Sequence, residues 1–60
     1  MVSRAEIGNI ICKKRQDCNI SQRKFAMMIG ISRVHLCNIE KGRRYPSIEV
    51  FYKILEYLDI

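Results

Sequence analysis

Sixty residues with 48% hydrophobic and 28% charged side chains, one Pro and three Gly make one small domain. Such a chain must pack tightly or be completed by a partner, and it leaves no room for a conventional enzyme cleft. The net charge of +5 divides into +4 over residues 1–30, +3 over residues 31–46 and −2 over residues 47–60, which suits a polyanion-binding front but is also what ordinary solubilising charge would leave.

Three cysteines, Cys12, Cys18 and Cys37, lack the paired spacing of a zinc site, and the start of the chain has no secretory apolar run. No apolar stretch approaches the roughly 18 residues of a membrane span. A soluble, reduced, cytoplasmic protein is the expectation, without cofactor or metal.

In chain order, Ser3 with Glu6 makes a capping box, predicting a first helix over Arg4–Asp17 with Ile7, Ile10, Ile11 and Lys14 on one stripe. Ser21 caps a short second helix, Gln22–Ile29, in which Phe25, Ala26 and Ile29 share a face and Gly30 supplies the stop. Ser32 caps a third reaching about Lys41, with Leu36 and Ile39 inward and Gly42 as a left-handed stop. After the loop Arg43-Arg44-Tyr45-Pro46, Ser47 caps a fourth helix to Leu58, with Ile48, Phe51, Leu55 and Leu58 as its core stripe.

The expected fold class is therefore all-α, a single domain over residues 1–60. Within it the short second helix, the turn at Gly30-Ile31 and the capped third helix describe a helix-turn-helix over about residues 21–41. Helical units of this shape also serve as protein-binding modules that never touch DNA.

With Leu36 inward and about 100° per residue, Val34, Asn38 and Lys41 point away from the core, Cys37 borders them, and Arg33 and His35 sit on the flanks. Arg can donate twice to guanine, Asn can donate to and accept from adenine, and Val can pack on a thymine methyl. Arg33, Val34, Cys37 and Asn38 are the candidate base contacts, although a merely solvated face is the competing reading. Gln22 and Arg23 open the second helix, where free N–H groups and the positive dipole end attract phosphate. With His35, Lys41, Arg43 and Arg44 they form the candidate phosphate contacts. No Ser-His-Asp, paired-carboxylate, glycine-rich phosphate or metal-ligand constellation is visible, so no enzyme activity is expected.

From Ile7 to Ile60 the chain resembles the Cro/repressor-type, or XRE-like, helix-turn-helix family. The resemblance rests on Ile7-Gly8, Ile20-Ser21-Gln22 with Phe25-Ala26, Gly30-Ile31-Ser32-Arg33, Ile39-Glu40-Lys41-Gly42 and Pro46-Ser47. It implies a four-helix, lambda-repressor-like domain, five-helix where the family's further helix follows. It also implies a sequence-specific regulator of transcription acting on double-stranded DNA, a repressor in the first instance. Gln22 takes the family's phosphate-contacting position, Arg33, Val34 and Asn38 its base-reading positions, and Arg43 and Arg44 its backbone-clamping loop. Arg15 and Glu40 match a pair that often forms a salt bridge tying the first helix to the end of the reading helix.

The family's fifth helix often dimerises, and this sequence ends at Ile60. A second apolar stripe on helix four, Val50, Ile54 and Tyr57, together with Ile60, is the expected surface of a two-fold homodimer. The same residues could instead pack the monomer core or meet a C-terminal extension. Two relatives of the regulator reading stay open: an antitoxin that also binds a protein toxin, and a controller of a restriction-modification system.

Overall fold

The computed structural model describes residues 2–60 as four helices joined by short loops: α1 Arg4–Asp17, α2 Gln22–Ile29, α3 Arg33–Glu40 and α4 Ile48–Leu58. The starts of these helices are set locally. Ser3, Ser21, Ser32 and Ser47 each accept the backbone N–H three residues on, at 3.0–3.2 Å. Each such cap contributes about 1 kcal/mol by satisfying a donor the helix itself cannot. At Ser3 the box is reciprocal, because its own N–H donates to Glu6 Oε1 at 3.2 Å. All four starts fall where the capping pattern predicts them.

Phe25, Ala26 and Ile29 of α2, Leu36 and Ile39 of α3, Ile11 of α1 and Ile54 and Leu58 of α4 form one buried core. α3 packs on α1 and α2, and α4 packs on the same two helices from elsewhere. The tightest joint is at Gly8, where an added Cβ would stand 2.5 Å from the carbonyl oxygens of Ile39 and Glu40. Only glycine lets α1 lie backbone to backbone against the end of the reading helix.

Two faces differ from the sequence expectation. On α1 the buried stripe is Gly8, Ile11 and Arg15, while Ile10 is half exposed; a charged residue occupies a core position because it finds a buried partner there. On α4, Ile48 stands 77% exposed whereas Ile54 is 0% exposed. Taking Ile54 as inward, Val50 and Leu58 lie about 40° to either side and Ile48 about 120° away. Ile54 is thus the centre of the core stripe and cannot belong to a dimer surface. Val50 also packs against the core.

Phe51 and Leu55, expected in the core, instead flank it. With Val2, Ile7, Ile10, Ile11 and Ile60 they line an open apolar groove of about 250 Å³ between α1 and α4. Tyr57 and Ile60 remain about half exposed, as a contact surface requires.

Candidate nucleic-acid interface

The reading face begins with Ser32, whose cap leaves α3 starting at Arg33 with its side chains directed by helical geometry alone. Leu36 and Ile39 are fully buried, which fixes the rotation of the helix. Arg33, Val34 and Lys41 consequently stand exposed, and Cys37, Asn38 and His35 are half-buried beside them. Val34, 61% exposed, is an apolar side chain with no neighbour in the core to explain it. The structure brings all four sequence-predicted base-contact residues to one helix, three of them on its outer side and Arg33 at its leading edge.

Behind that face lies a buried ionic joint. Arg15 donates to Glu40 through Nε at 2.7 Å and Nη2 at 3.1 Å, a two-pronged pairing. Its remaining Nη1 donates to the Ile20 carbonyl at 2.7 Å, so one guanidinium ties α1, the α1–α2 loop and the end of α3 together. Both residues are buried, at 8% and 7% exposure, yet none of the buried side-chain nitrogens and oxygens among the described residues lacks a partner. The Glu40 hydrogen bond pushes Arg15 further above its ordinary pKa, burial opposing. Cys12 sits at the edge of this joint, 3.8 Å from Arg15 Nη2; burial first, and the nearby Glu40 carboxylate second, push its thiol pKa up.

Gln22 is the point where this joint reaches the surface. Its Nε2 donates to Glu40 Oε1 at 2.9 Å, and an amide nitrogen has a second hydrogen to offer. The side chain is therefore held in place at the first residue of α2. There Ser21 caps Lys24 and the Ser21 carbonyl takes Phe25, which leaves the N–H groups of Gln22 and Arg23 without an intramolecular partner among the described residues. Free N–H groups, the positive end of the helix dipole and a fixed amide make a ready seat for a phosphate.

At the other end of α3, Gly42 at φ 76° turns the chain, and its Cβ position would lie 2.8 Å from Ala5 Cα. The exposed loop residues Arg43 and Arg44 are thereby carried past the end of the reading helix beside the start of α1. Three contacts here were not foreseen from the sequence. Gln22 bonds Glu40 across 18 residues, Arg43 Nη1 donates to Asn38 Oδ1 at 3.3 Å, and Arg4 lies over the Tyr45 ring at 5.7 Å. Arg4 thus adds a cation to the loop that the linear charge pattern assigned to another helix.

No helix of the described residues is long and apolar enough to cross a membrane, and none of their His, Cys, Asp or Glu side chains cluster as a metal site. A capped third helix with an exposed outer face, a second helix that opens on free N–H groups and a cationic loop just past the third helix define a helix-turn-helix domain. Comparison with known proteins agrees. The helix-turn-helix family matches residues 13–60, and the chain belongs to it, in its XRE-type branch.

The chain is 33% identical over 54 residues to the ImmF control region 10 kDa protein of Bacillus phage phi105, covering 90% of this chain and 60% of that protein. It is 32% identical over 53 residues to an HTH-type transcriptional regulator of Mycobacterium tuberculosis, of which it spans 38%. Among solved structures, the restriction-modification controller protein C.AhdI from Aeromonas hydrophila superposes with a TM-score of 0.88 at 26% identity, over 95% of this chain and 86% of that one. The clp gene regulator ClgR from C. glutamicum shares the fold, with a TM-score of 0.89 at 24% identity over 98% of this chain and 76% of that one.

Proposed function

We propose that this chain is a sequence-specific regulator of transcription that reads the major groove with α3, without catalytic activity of its own. The observation that carries the proposal is the construction around Glu40: a buried carboxylate holds Arg15 on one side and the phosphate-seat residue Gln22 on the other, so the reading helix is locked to its grip. Arg33, Val34, Cys37 and Asn38 supply base contacts, and Gln22, Arg23, His35, Lys41, Arg43 and Arg44 hold backbone phosphates. Phosphate contacts set register, and base contacts set sequence.

The DNA-bound form is a two-fold homodimer with its reading helices about 34 Å apart on one face of the duplex. Its contact surface is the exposed pair Tyr57 and Ile60 together with the apolar groove edged by Phe51 and Leu55, since a two-fold axis sets such a patch against its own copy. A domain seated in the major groove of a promoter site blocks that site by occupying it, which makes repression the primary outcome. The likeness to a restriction-modification controller favours a second reading, in which this chain is itself the controller of a restriction-modification system.

Selection from a random duplex pool at about 150 mM salt, comparing wild type with Arg33→Ala/Asn38→Ala, tests the proposal. A palindromic consensus that the double variant loses is the expected result. A pool that stays random, with weak binding abolished by salt, would leave only counterion-driven attraction and overturn it.

A further inference from the structure

The stop of the reading helix is built from two backbone bonds: Gly42 N–H to the Ile39 carbonyl at 3.1 Å and Arg43 N–H to the Asn38 carbonyl at 2.9 Å. In a helix end of this kind the side chains of the two residues joined by the bond that spans more of the chain are brought together, most often as an apolar contact. Here those residues are Asn38 and Arg43, and the contact is polar: Arg43 Nη1 donates to Asn38 Oδ1 at 3.3 Å. The pairing is thus imposed by the backbone turn at Gly42, and both partners are sequence-predicted DNA contacts.

A guanidinium only donates, so Asn38 must turn its carbonyl oxygen to Arg43 and its Nδ2 away. Asparagine alone reads adenine by accepting from N6 while donating to N7. With one lone pair taken and a positive charge beside the carbonyl, accepting from the adenine amine is disfavoured. What remains at this place is a donor edge, the Asn38 amide hydrogens. In the major groove guanine offers two acceptors, N7 and O6, and no donor.

We propose that Arg43 is a specificity-determining residue that converts Asn38 from an adenine reader into a guanine reader. The proposal rests on the DNA-reading function above. Its test repeats the duplex selection with wild type, Asn38→Ala and Arg43→Met. The methionine keeps the aliphatic stem and the Arg43 backbone bond while removing every side-chain donor, and an unchanged urea midpoint verifies that the fold survives. The position whose preference disappears in Asn38→Ala is the one Asn38 reads.

At that position wild type is expected to favour guanine by about tenfold or more, within the range of a good base contact, and Arg43→Met to shift toward adenine. Any base other than guanine in wild type, an Arg43→Met consensus identical to wild type, or the absence of an Asn38-dependent position would overturn the role of Arg43 while leaving the regulator reading standing. A random pool with wild type would overturn both.

Discussion

The two halves of this domain are held together by different physics. Around the reading helix, α1, α2 and α3 meet through a buried ion pair in which each buried nitrogen and oxygen has a partner, and the surface outside it is cationic. Around α4 the joint is purely apolar, centred on Ile54 and Leu58, and it leaves an open groove rimmed by Phe51 and Leu55. Ionic contacts are directional and make one geometry of α3 against α2 the acceptable one. Apolar contacts are permissive, and they leave surface that a second molecule can share. Under the proposed function, rigidity lies where register on DNA would matter, and adaptability where a second copy would dock.

The largest expected effect breaks the first half. Replacing Arg15 by Ala strands the Glu40 carboxylate, leaves the Ile20 carbonyl and Gln22 without their organiser, and is expected to cost about 3–5 kcal/mol. That is much of the stability of a chain this size, at roughly 0.1 kcal/mol per residue. Urea unfolding followed by circular dichroism measures it. A loss under about 1 kcal/mol would mean that water reaches the pair and that the contrast between the halves is false.

The second expected effect sharpens the account of α4. Ile54→Ala opens a cavity at a fully buried position and is expected to cost about 2–5 kcal/mol, whereas Ile48→Ala, on a side chain 77% exposed, changes stability by no more than about 0.5 kcal/mol. Equal losses at the two sites would restore the stripe read from periodicity. That stripe was plausible because 48, 51, 55 and 58 keep helical spacing as well as 50, 54 and 58 do. Periodicity defines that a helix has an apolar side, but where two apolar stripes overlap only the partner helices decide which one turns inward.

Legibility follows the range of the interactions. The four serine caps and the glycine stops were readable because each acts within about four residues, and the core of α2 and α3 followed once their ends were known. Helical arithmetic puts Glu40 about 40° from the inward Leu36, but its pairing with Arg15 comes from the family resemblance, and the third member, Gln22, lies 18 residues away on another helix. Nothing in the linear order marks that bond. The Asn38–Arg43 contact is different, for its signal was present: five residues spanning a Gly42 stop are what a helix end joins. Arg4 was invisible as a loop cation because its approach to Tyr45 follows from α1 lying close to Gly42.

A smaller effect concerns the cationic surface. With the four cations Arg23, Lys41, Arg43 and Arg44 on phosphates in each copy, a dimer makes about eight such contacts, and log affinity falls against log salt with a slope of about −7. Arg44→Ala, removing one exposed contact from each copy, is expected to flatten that slope by about 2 with the consensus unchanged. A slope that does not move would assign Arg44 to plain surface charge and narrow the interface to α2 and α3.

The smallest expected effect lies on the seam between the halves, at Cys12. Burial and the Glu40 carboxylate raise its thiol pKa in the folded chain, with Arg15 pulling the other way. As pH rises past the ordinary thiol range, the unfolded chain therefore loses this proton first, and folding must take a proton up. The stability that Cys12 contributes is present at neutral pH and is lost progressively on the alkaline side. Urea midpoints of wild type and Cys12→Ala, compared at about pH 7.5 and about pH 9.5, isolate this from everything the two chains share. Wild type should lose more. Parallel losses would mean that Cys12 stays solvated when folded, and that the dry environment of the ionic joint ends at Arg15 before it reaches the face of α1 that borders the apolar half.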